Sequence, residues 1–223
     1  MSKNLTQNGN PRLFTRKEIK AAVMQFGYGQ QEKGTRKQLA TDLGSKYDDG
    51  IYPIFLQAVN NIVPGFSEIM ETINGMWRYE WLETSWTMPD GFKVVCKPTS
   101  QQWVDFKLFG KYPIKGKVSG VGHEEKALIL YVTIIHSCDA YIARELIRIA
   151  NDQNYDLITI HDGFRQLPNN AFKTKANYNK VLASINDSNL LTDILSQIAG
   201  FPIEPITGDL NSENILQNKY SLS

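Results

Sequence analysis

Four residues near the amino terminus have the types and the spacing needed to bind phosphates and an attached nucleoside. They recur at intervals of four: Arg16, Lys20, Met24 and Tyr28. Four residues of an α-helix turn through about 400°, so this set would form a stripe along one face, about 18 Å long. Arginine and lysine bind the oxygens of a triphosphate, and a nucleoside would extend towards Met24 and Tyr28. An amphipathic helix with Met24 in the protein core explains the same spacing equally well.

Two other polar groups are candidates for chemistry. His161 and Asp162 directly follow residues 157–160, which predict a buried β-strand, and an aspartate exposed there by a tight turn is well placed to hold Mg²⁺. A simple turn aspartate would have the same sequence. His136 and Asp139 lie in the segment HSCDAYIAREL, which predicts a helix from Ser137 onward. Capping of that helix by Ser137 is sufficient to explain the second group.

The composition is that of an ordinary globular protein. The 223 residues, 42% of them hydrophobic, suit one large domain or two small ones. The net charge of +1 conceals a basic segment from Arg12 to Lys37, which indicates either a polyanionic partner or a solvated helix face. Two cysteines are too few for a disulfide scaffold or a zinc site. No apolar run is long enough to span a membrane and the polar start lacks a targeting signal, so we expect a soluble, intracellular protein.

The apolar pattern predicts mostly helices with a few strands. Thr15 and Glu18 form a capping box for the first helix, and Pro64–Gly65 should separate two helices. The predicted helices cover residues 15–26, 34–47, most of 51–83, 126–153, 170–187 and 189–201. Strands are predicted after the turn at 89–91, in a hairpin over 97–124, and over 157–161. Residues 1–11 should be a flexible polar lead.

Together these motifs resemble the single-subunit RNA polymerases of phages and mitochondria, which share a right-hand shape with the family A DNA polymerases. The pattern R-x3-K-x7-Y-G is followed later by a strand that ends in HD. HDGF is similar to the HDSFG of the RNA enzymes, HSCD to their HSQD, and WTMPDGFKV to their WxTPxGFPV. Met24 stands where the DNA enzymes usually have Phe or Tyr. The terminal GDLNSENILQNKYSLS is similar to the tail of the phage enzymes, so the resemblance covers residues 12 to 223.

The resemblance implies an α+β fold: the C-terminal fingers and palm part of a right-hand polymerase, mostly helical with a small antiparallel palm sheet. The implied parts follow one another along the chain. They are a flexible lead at 1–11, a fingers-like helical subdomain at 12–85, a strand and a hairpin like the specificity loop at 86–125, and a palm core with the metal-binding strand and C-terminal tail at 126–223.

The resemblance also implies roles for the site residues. Arg16 and Lys20 would grip the incoming triphosphate, and Lys20 would act as an acid on the leaving pyrophosphate. Tyr28 would lie under the base and, with its neighbours, test the ribose 2′-OH. Gly29 would let the backbone approach the template, and His136 would contact the RNA–DNA hybrid and support Tyr28. Asp162 would bind a catalytic Mg²⁺ pair, and His161 would lie beside the RNA end.

The implied partners are DNA template, RNA transcript and rNTPs. The hairpin over 97–124 corresponds to the promoter-reading loop of the phage enzymes, and its side chains suit a DNA groove: Trp103, Lys107, Lys111, Lys115 and Lys117. The location implied is the cytoplasm of an infected bacterium, or a mitochondrion if the gene is carried by a plasmid there. A promoter-melting or single-strand-binding factor would be a further partner, and no membrane is involved.

The chain departs from the family in lacking the N-terminal domain, the thumb and the first palm strand, whose aspartate usually stands in a DGxxxGxQH context. Asp162 alone would leave two Mg²⁺ ions underbound. We therefore expect a split polymerase, inactive without a second subunit that supplies the missing parts and the second carboxylate. The alternatives are a relative of the family A DNA polymerases and a catalytically dead remnant that binds nucleic acid.

Overall fold

The computed structural model describes residues 6–7, 10–11, 14–78, 80–97, 99–121, 126–160, 163–206, 208 and 210–218, with side chains except at 6–7, 10–11, 99–102, 118–121 and 126–127. The chain divides into two compact units. The first comprises Met1–Trp77 with Glu125–Val132, and the second comprises Arg78–Glu124 with Thr133–Ser223. The hairpin segment predicted as a separate part therefore belongs to the same unit as most of the predicted palm core.

The first unit is built mainly from helices. In chain order they are α1 Arg16–Gly27, α2 Glu32–Leu43, a 3₁₀ turn Gly44–Lys46, α3 Ile51–Ile62, α4 Phe66–Gly75 and the first residues of α5, Lys126–Asp152. The predicted break between α3 and α4 is confirmed, and Gly65 makes it with a φ of 79°. The predicted flexible lead contains a short antiparallel pair, β1 Thr6–Gln7 and β2 Asn10–Pro11.

Helix α1 begins at the capping box that its sequence predicts. The Thr15 hydroxyl accepts a hydrogen bond from the Glu18 backbone N–H, and the Glu18 carboxylate accepts one from the Thr15 N–H at 2.8 Å. The Lys46 ammonium donates to the same carboxylate. The hydrogen bond from Lys46, followed by those from Thr15, lowers the pKa of Glu18 to about 2.

One face of α1 packs into the core of the first unit. Ile19, Ala22 and Phe26 are buried on this face, three to seven residues apart as a helical stripe requires. The Phe26 ring lies 5.9 Å from that of Phe55 in an edge-on contact and 5.4 Å from that of Phe66. The apolar period of α1 therefore determines which of its residues remain at the surface.

The second unit combines antiparallel strand pairs with helices. The pairs are β3 Thr84–Thr87 with β4 Lys93–Cys96, β5 Thr99–Leu108 with β6 Tyr112–Val121, and β7 Ile158–Ile160 with β8 Gly163–Arg165. The helices are the rest of α5, a 3₁₀ turn Pro168–Asn170, α6 Ala171–Asp187, α7 Leu190–Ala199 and α8 Ser212–Leu216. Among the described residues each sheet has two strands, so the expected mixture of helices and small antiparallel sheets is confirmed at this coarse level.

Side-chain amides join the elements of the second unit. Gln197 of α7 accepts from the Thr87 N–H at 2.8 Å and donates to the Thr87 carbonyl at 3.1 Å, which extends the edge of β3. Asn179 of α6 donates to the carbonyls of Leu216 and Asn218, which ties the C-terminal segment to that helix. These bonds satisfy backbone groups that would otherwise lack partners.

The predicted helix over 126–153 is confirmed as α5, but two other predictions for this unit are wrong. His136 and Asp139 lie in the middle of α5 rather than at a helix start, and Ser137 donates to the Ile134 carbonyl instead of capping a helix. Strand β7 is exposed rather than buried, with Ile158 62% and Ile160 47% exposed. Its exposure follows from its position in a hairpin of two strands, which covers neither face. Among the described helices, none is both long enough and apolar enough to cross a lipid bilayer.

We predict that Glu18→Gln flattens the acid side of the stability profile. The folded-state pKa of Glu18 is below its ordinary value of 4.5, so its ionised form stabilises the fold above that pH. This stabilisation is lost as the pH falls towards 2. The measurement is the unfolding midpoint against pH from 6 to 2 for wild type and variant. Glu71→Gln, at an exposed position of α4, is the control and should keep the wild-type slope.

Candidate functional site

The stripe predicted on α1 lies on its exposed face. Arg16, Lys20, Met24 and Tyr28 are all exposed, Met24 by 49% and Tyr28 by 39%. The alternative in which Met24 packs in the core is therefore wrong, because Ile19, Ala22 and Phe26 occupy the buried face instead. Within the described residues no ion pair engages Arg16 or Lys20. Two cations and two soft or aromatic groups thus line one accessible surface.

The end of α1 fixes the backbone on both sides of Tyr28. The Gly29 N–H donates to the Phe26 carbonyl at 2.9 Å, and the Gln30 N–H donates to the Gln25 carbonyl at 3.0 Å. This pair of bonds is the Schellman arrangement, with Gly29 as its left-handed residue at φ 81°. Tyr28 is the last residue before the chain reverses, so its backbone is held by the same bonds.

Two side chains of α5 press against Gly29 in the first unit. A methyl group added at Gly29 would lie 2.4 Å from Leu128 Cδ1 and 3.3 Å from Tyr131 Cδ1. Tyr131 is only 4% exposed, and its hydroxyl donates to the Gly27 carbonyl at 3.0 Å. Burial raises the pKa of Tyr131 to about 12, so the hydroxyl remains a donor throughout the physiological range.

A cleft of about 720 Å³ opens beside Gly29 in the first unit. Its walls are formed by Gly29, Gln30, Gln31, Lys33, Gly34, Lys37, Met70, Asn74 and Leu128. The amide oxygens of Gln30 and Asn74 are buried and have no hydrogen-bond partner among the described residues. Exposed ammonium groups, apolar walls and unpaired amides are together suited to a planar polar group attached to a phosphate.

Sequence reasoning missed the cleft because its walls come from distant segments. Lys33 and Lys37 belong to the basic segment that the composition shows, and their spacing of four is visible in the sequence. Nothing in the sequence indicates that Asn74 and Leu128 face them across the same space.

His136 lies in the second unit, on the exposed part of α5. Asp139, one helical turn later, is close enough to Tyr178 of α6 for its charge to add to burial in raising the pKa of that tyrosine. The Tyr178 ring lies 6.0 Å from that of Phe164 on β8. Side chains of α5, α6 and β8 therefore meet in one place.

His161 and Asp162 lie outside the described residues. The strands on either side are described, and Ile160 pairs with Gly163 across the hairpin. The structure thus gathers Arg16, Lys20, Met24, Tyr28 and Gly29 in the first unit and describes His136 in the second.

The hairpin of β5 and β6 has two chemically different faces. Alternation along the strands places Trp103 opposite Lys117, Asp105 opposite Lys115, and Lys107 opposite Pro113 on one face. The Lys117 ammonium lies 5.3 Å from the Trp103 ring centre. The other face is apolar and consists of Val104, Phe106, Leu108, Tyr112 and Ile114. Three lysines against one aspartate make the first face suitable for a polyanion.

The turn between β3 and β4 is fixed to α5 within the second unit. Arg144 donates to both carboxylate oxygens of Asp90, and its guanidinium lies 4.4 Å from the centre of the Phe92 ring. The hydrogen bond from Arg144 lowers the pKa of Asp90. Asp90 and Phe92 belong to the WTMPDGFKV motif, so this motif has a structural task here that the sequence did not indicate.

The sequence matches no protein-family model, and it also matches no curated protein.

We predict that Gly29→Ala destabilises the protein by at least about 1–2 kcal/mol, because alanine is disfavoured at a left-handed φ. Contact with Leu128 should add to this cost. Gly27→Ala is the matched control: it is helical and an added methyl group would have no atom within 4 Å, so it should be neutral or stabilising by up to about 1 kcal/mol. Chemical unfolding measures both. Equal effects of the two changes would contradict the constraint at Gly29.

Proposed function

We propose that this chain provides the nucleotide-binding helix and one metal-binding aspartate of a DNA-directed RNA polymerase, which joins rNTPs on a DNA template. The observation that carries the proposal is the exposed stripe on α1, where Arg16 and Lys20 precede Met24 and Tyr28. The same residues match the polymerase pattern in order and spacing. Their exposure leaves them accessible to a ligand, since Ile19, Ala22 and Phe26 already provide the buried face of the helix.

The first half of α1 would bind the triphosphate. Arg16 lies in the first turn, where the helix dipole adds to the attraction of its guanidinium for anions. Lys20 lies one turn further along on the same face. We assign to Lys20 the proton donated to the pyrophosphate as it leaves.

The second half would contact the nucleoside. Tyr28 presents a ring and a hydroxyl at the end of the stripe, and Met24 offers an apolar contact one turn earlier. A protein group that pairs with the ribose 2′-OH would be left unsatisfied by a dNTP. That loss costs about 1–3 kcal/mol, which favours rNTPs.

Asp162 is the proposed ligand for the catalytic Mg²⁺ ions. Its carboxylate oxygens are the ligand type that Mg²⁺ prefers, and the described strands β7 and β8 bring the chain to either side of it. When bound, two Mg²⁺ ions would stabilise the attacking and leaving oxygens. One carboxylate is insufficient for two ions, so the proposal includes a second carboxylate from polypeptide outside these 223 residues.

A second polymerase subunit is the proposed source of that carboxylate. Apolar side chains near the Asp162 hairpin support a protein partner in this region: Ile158 and Ile160 on β7, Leu167, and Phe172 at the start of α6 are exposed. In the part of the chain that the structure describes, β7 pairs only with β8, and a free strand edge with exposed isoleucines is typical of a strand that another chain completes.

The template and transcript would occupy further surfaces of the chain. The lysine face of the β5–β6 hairpin is suited to DNA, and the cleft with Lys33 and Lys37 is suited to a nucleotide unit. His136 is the proposed contact for the RNA–DNA hybrid.

We predict that Asp162→Asn in the assembled complex lowers RNA synthesis by more than about 100-fold. Substituting residues that only hydrogen-bond to metal ligands already lowers metal affinity or activity by up to about 100-fold, and Asp162 is the proposed ligand itself. DNA binding should be retained, because it depends on other surfaces. The assay is primer extension with rNTPs and Mg²⁺. Asp156→Asn, an exposed aspartate in the same segment, is the control and should remain active. Full activity of Asp162→Asn would refute the assignment.

The same assay separates the alternatives. Preference for dNTPs would identify a DNA polymerase relative instead. DNA binding without synthesis under any pairing of subunits would identify a catalytically dead nucleic-acid-binding protein.

We predict that neutralising the lysine face of the β5–β6 hairpin weakens DNA binding and reduces its salt dependence. The slope of log K against log salt should fall by about 0.9 for each phosphate that the variant no longer binds. The measurement is fluorescence anisotropy with a labelled duplex at several salt concentrations.

The variant changes Lys107, Lys115 and Lys117 to Gln. The control makes the same charge change at exposed positions elsewhere in the unit: Lys93, Lys173 and Lys180. Equal slopes for the two variants would show that the hairpin does not bind phosphate.

A further inference from the structure

We propose that Tyr131 is a positioning residue that holds Tyr28 in place for nucleotide discrimination. This inference rests on the proposed function, in which Tyr28 contacts the nucleoside. It adds a residue that lies far from Tyr28 in sequence and whose contacts become visible only in the folded first unit.

Tyr131 contributes to the hydrogen bonding at the end of α1. A helix leaves its last four carbonyl groups without partners inside the helix. Backbone N–H groups of Tyr28, Gln30 and Gly29 reach the carbonyls of residues 24, 25 and 26 respectively. The Gly27 carbonyl accepts instead from the Tyr131 hydroxyl, at 3.0 Å. Tyr131 therefore supplies the bond that completes the C-terminal cap, immediately before Tyr28.

Tyr131 also restricts the turn sterically. The Tyr131 ring lies so close to Gly29 that an added methyl group would approach its edge at 3.3 and 3.5 Å. The hydroxyl thus holds the residue before Tyr28, while the ring limits the residue after it. Tyr28 is bounded on both sides by one side chain.

Tyr131 is itself held by aromatic packing and burial. Its ring makes an edge-on contact with Phe66, with centres 6.3 Å apart, and Phe66 contacts Phe26 of α1. Tyr131 is also almost completely buried. Because these contacts fix the Tyr131 side chain, its position restrains the conformation of the turn. A mobile side chain would instead adapt to the turn and would not restrain it.

Tyr131→Phe is the informative variant, since it removes the hydroxyl and keeps the ring. We expect selectivity for rNTP over dNTP, measured as the ratio of kcat/KM values in the assembled complex, to fall about three- to tenfold, which is the range of one neutral hydrogen bond. Hydrogen exchange at the amides of Gly29 and Gln30 should accelerate by a similar factor, because both donate within the turn. Tyr52→Phe, another buried tyrosine of the first unit, is the control and should change neither quantity.

The possible results distinguish this inference from the proposed function. Faster exchange together with lower selectivity supports the role of Tyr131. Unchanged exchange overturns it, and so does an equal loss of kcat/KM for rNTP and dNTP, which would indicate a merely structural role. Faster exchange with unchanged selectivity in an active complex also overturns it. If the wild-type complex makes no RNA, the proposed function fails and the role in discrimination fails with it, whereas the exchange data still decide whether Tyr131 holds the turn.

Discussion

The first unit depends on one backbone constraint, the absence of a side chain at residue 29. Two independent features impose it: a φ of 81°, and the approach of Leu128 and Tyr131 to the space a side chain would fill. Because the chain can reverse there, α1 ends at Gly27 and Tyr28 lies directly after it, immediately before the turn. The close packing of α5 residues against this turn is possible only because glycine leaves room for them.

The fixed end of α1 acts together with its buried face. Burial of Ile19, Ala22 and Phe26 determines the rotation of the helix, and the turn at Gly29 determines where it stops. Rotation and length together place Arg16 and Tyr28 at opposite ends of one exposed stripe. The stripe is therefore a consequence of packing on the other side, and exposed residues that do not contribute to packing are available for binding.

Local signals explain what could be predicted from the sequence. The capping box at Thr15 and the break at Pro64–Gly65 both act over a few residues, so their structures could be predicted. Predictions that depend on distant contacts are wrong or missing. The polar residues in the middle of α5 resemble a helix start, and the apolar composition of β7 suggests a burial that its surroundings do not provide. The contact between Tyr131 and Gly27 joins segments 104 residues apart and has no local signal.

The energetics of the β7–β8 hairpin show why burial could not be predicted from its sequence alone. An isolated hairpin of two strands is marginally stable in water, and Ile158 and Ile160 contribute little to burial in the described chain. Phe164 packs on Tyr178, so the hairpin is attached to α6 through β8, whereas β7 has its isoleucines at the surface. Under the proposed function, the turn after β7 must keep its carboxylate within about 0.5 Å of a productive position. The contact between Phe164 and Tyr178 acts on β8, and the isoleucines of β7 remain exposed. The proposed partner chain that covers β7 would then supply the remaining precision, so the proposal couples assembly to metal binding.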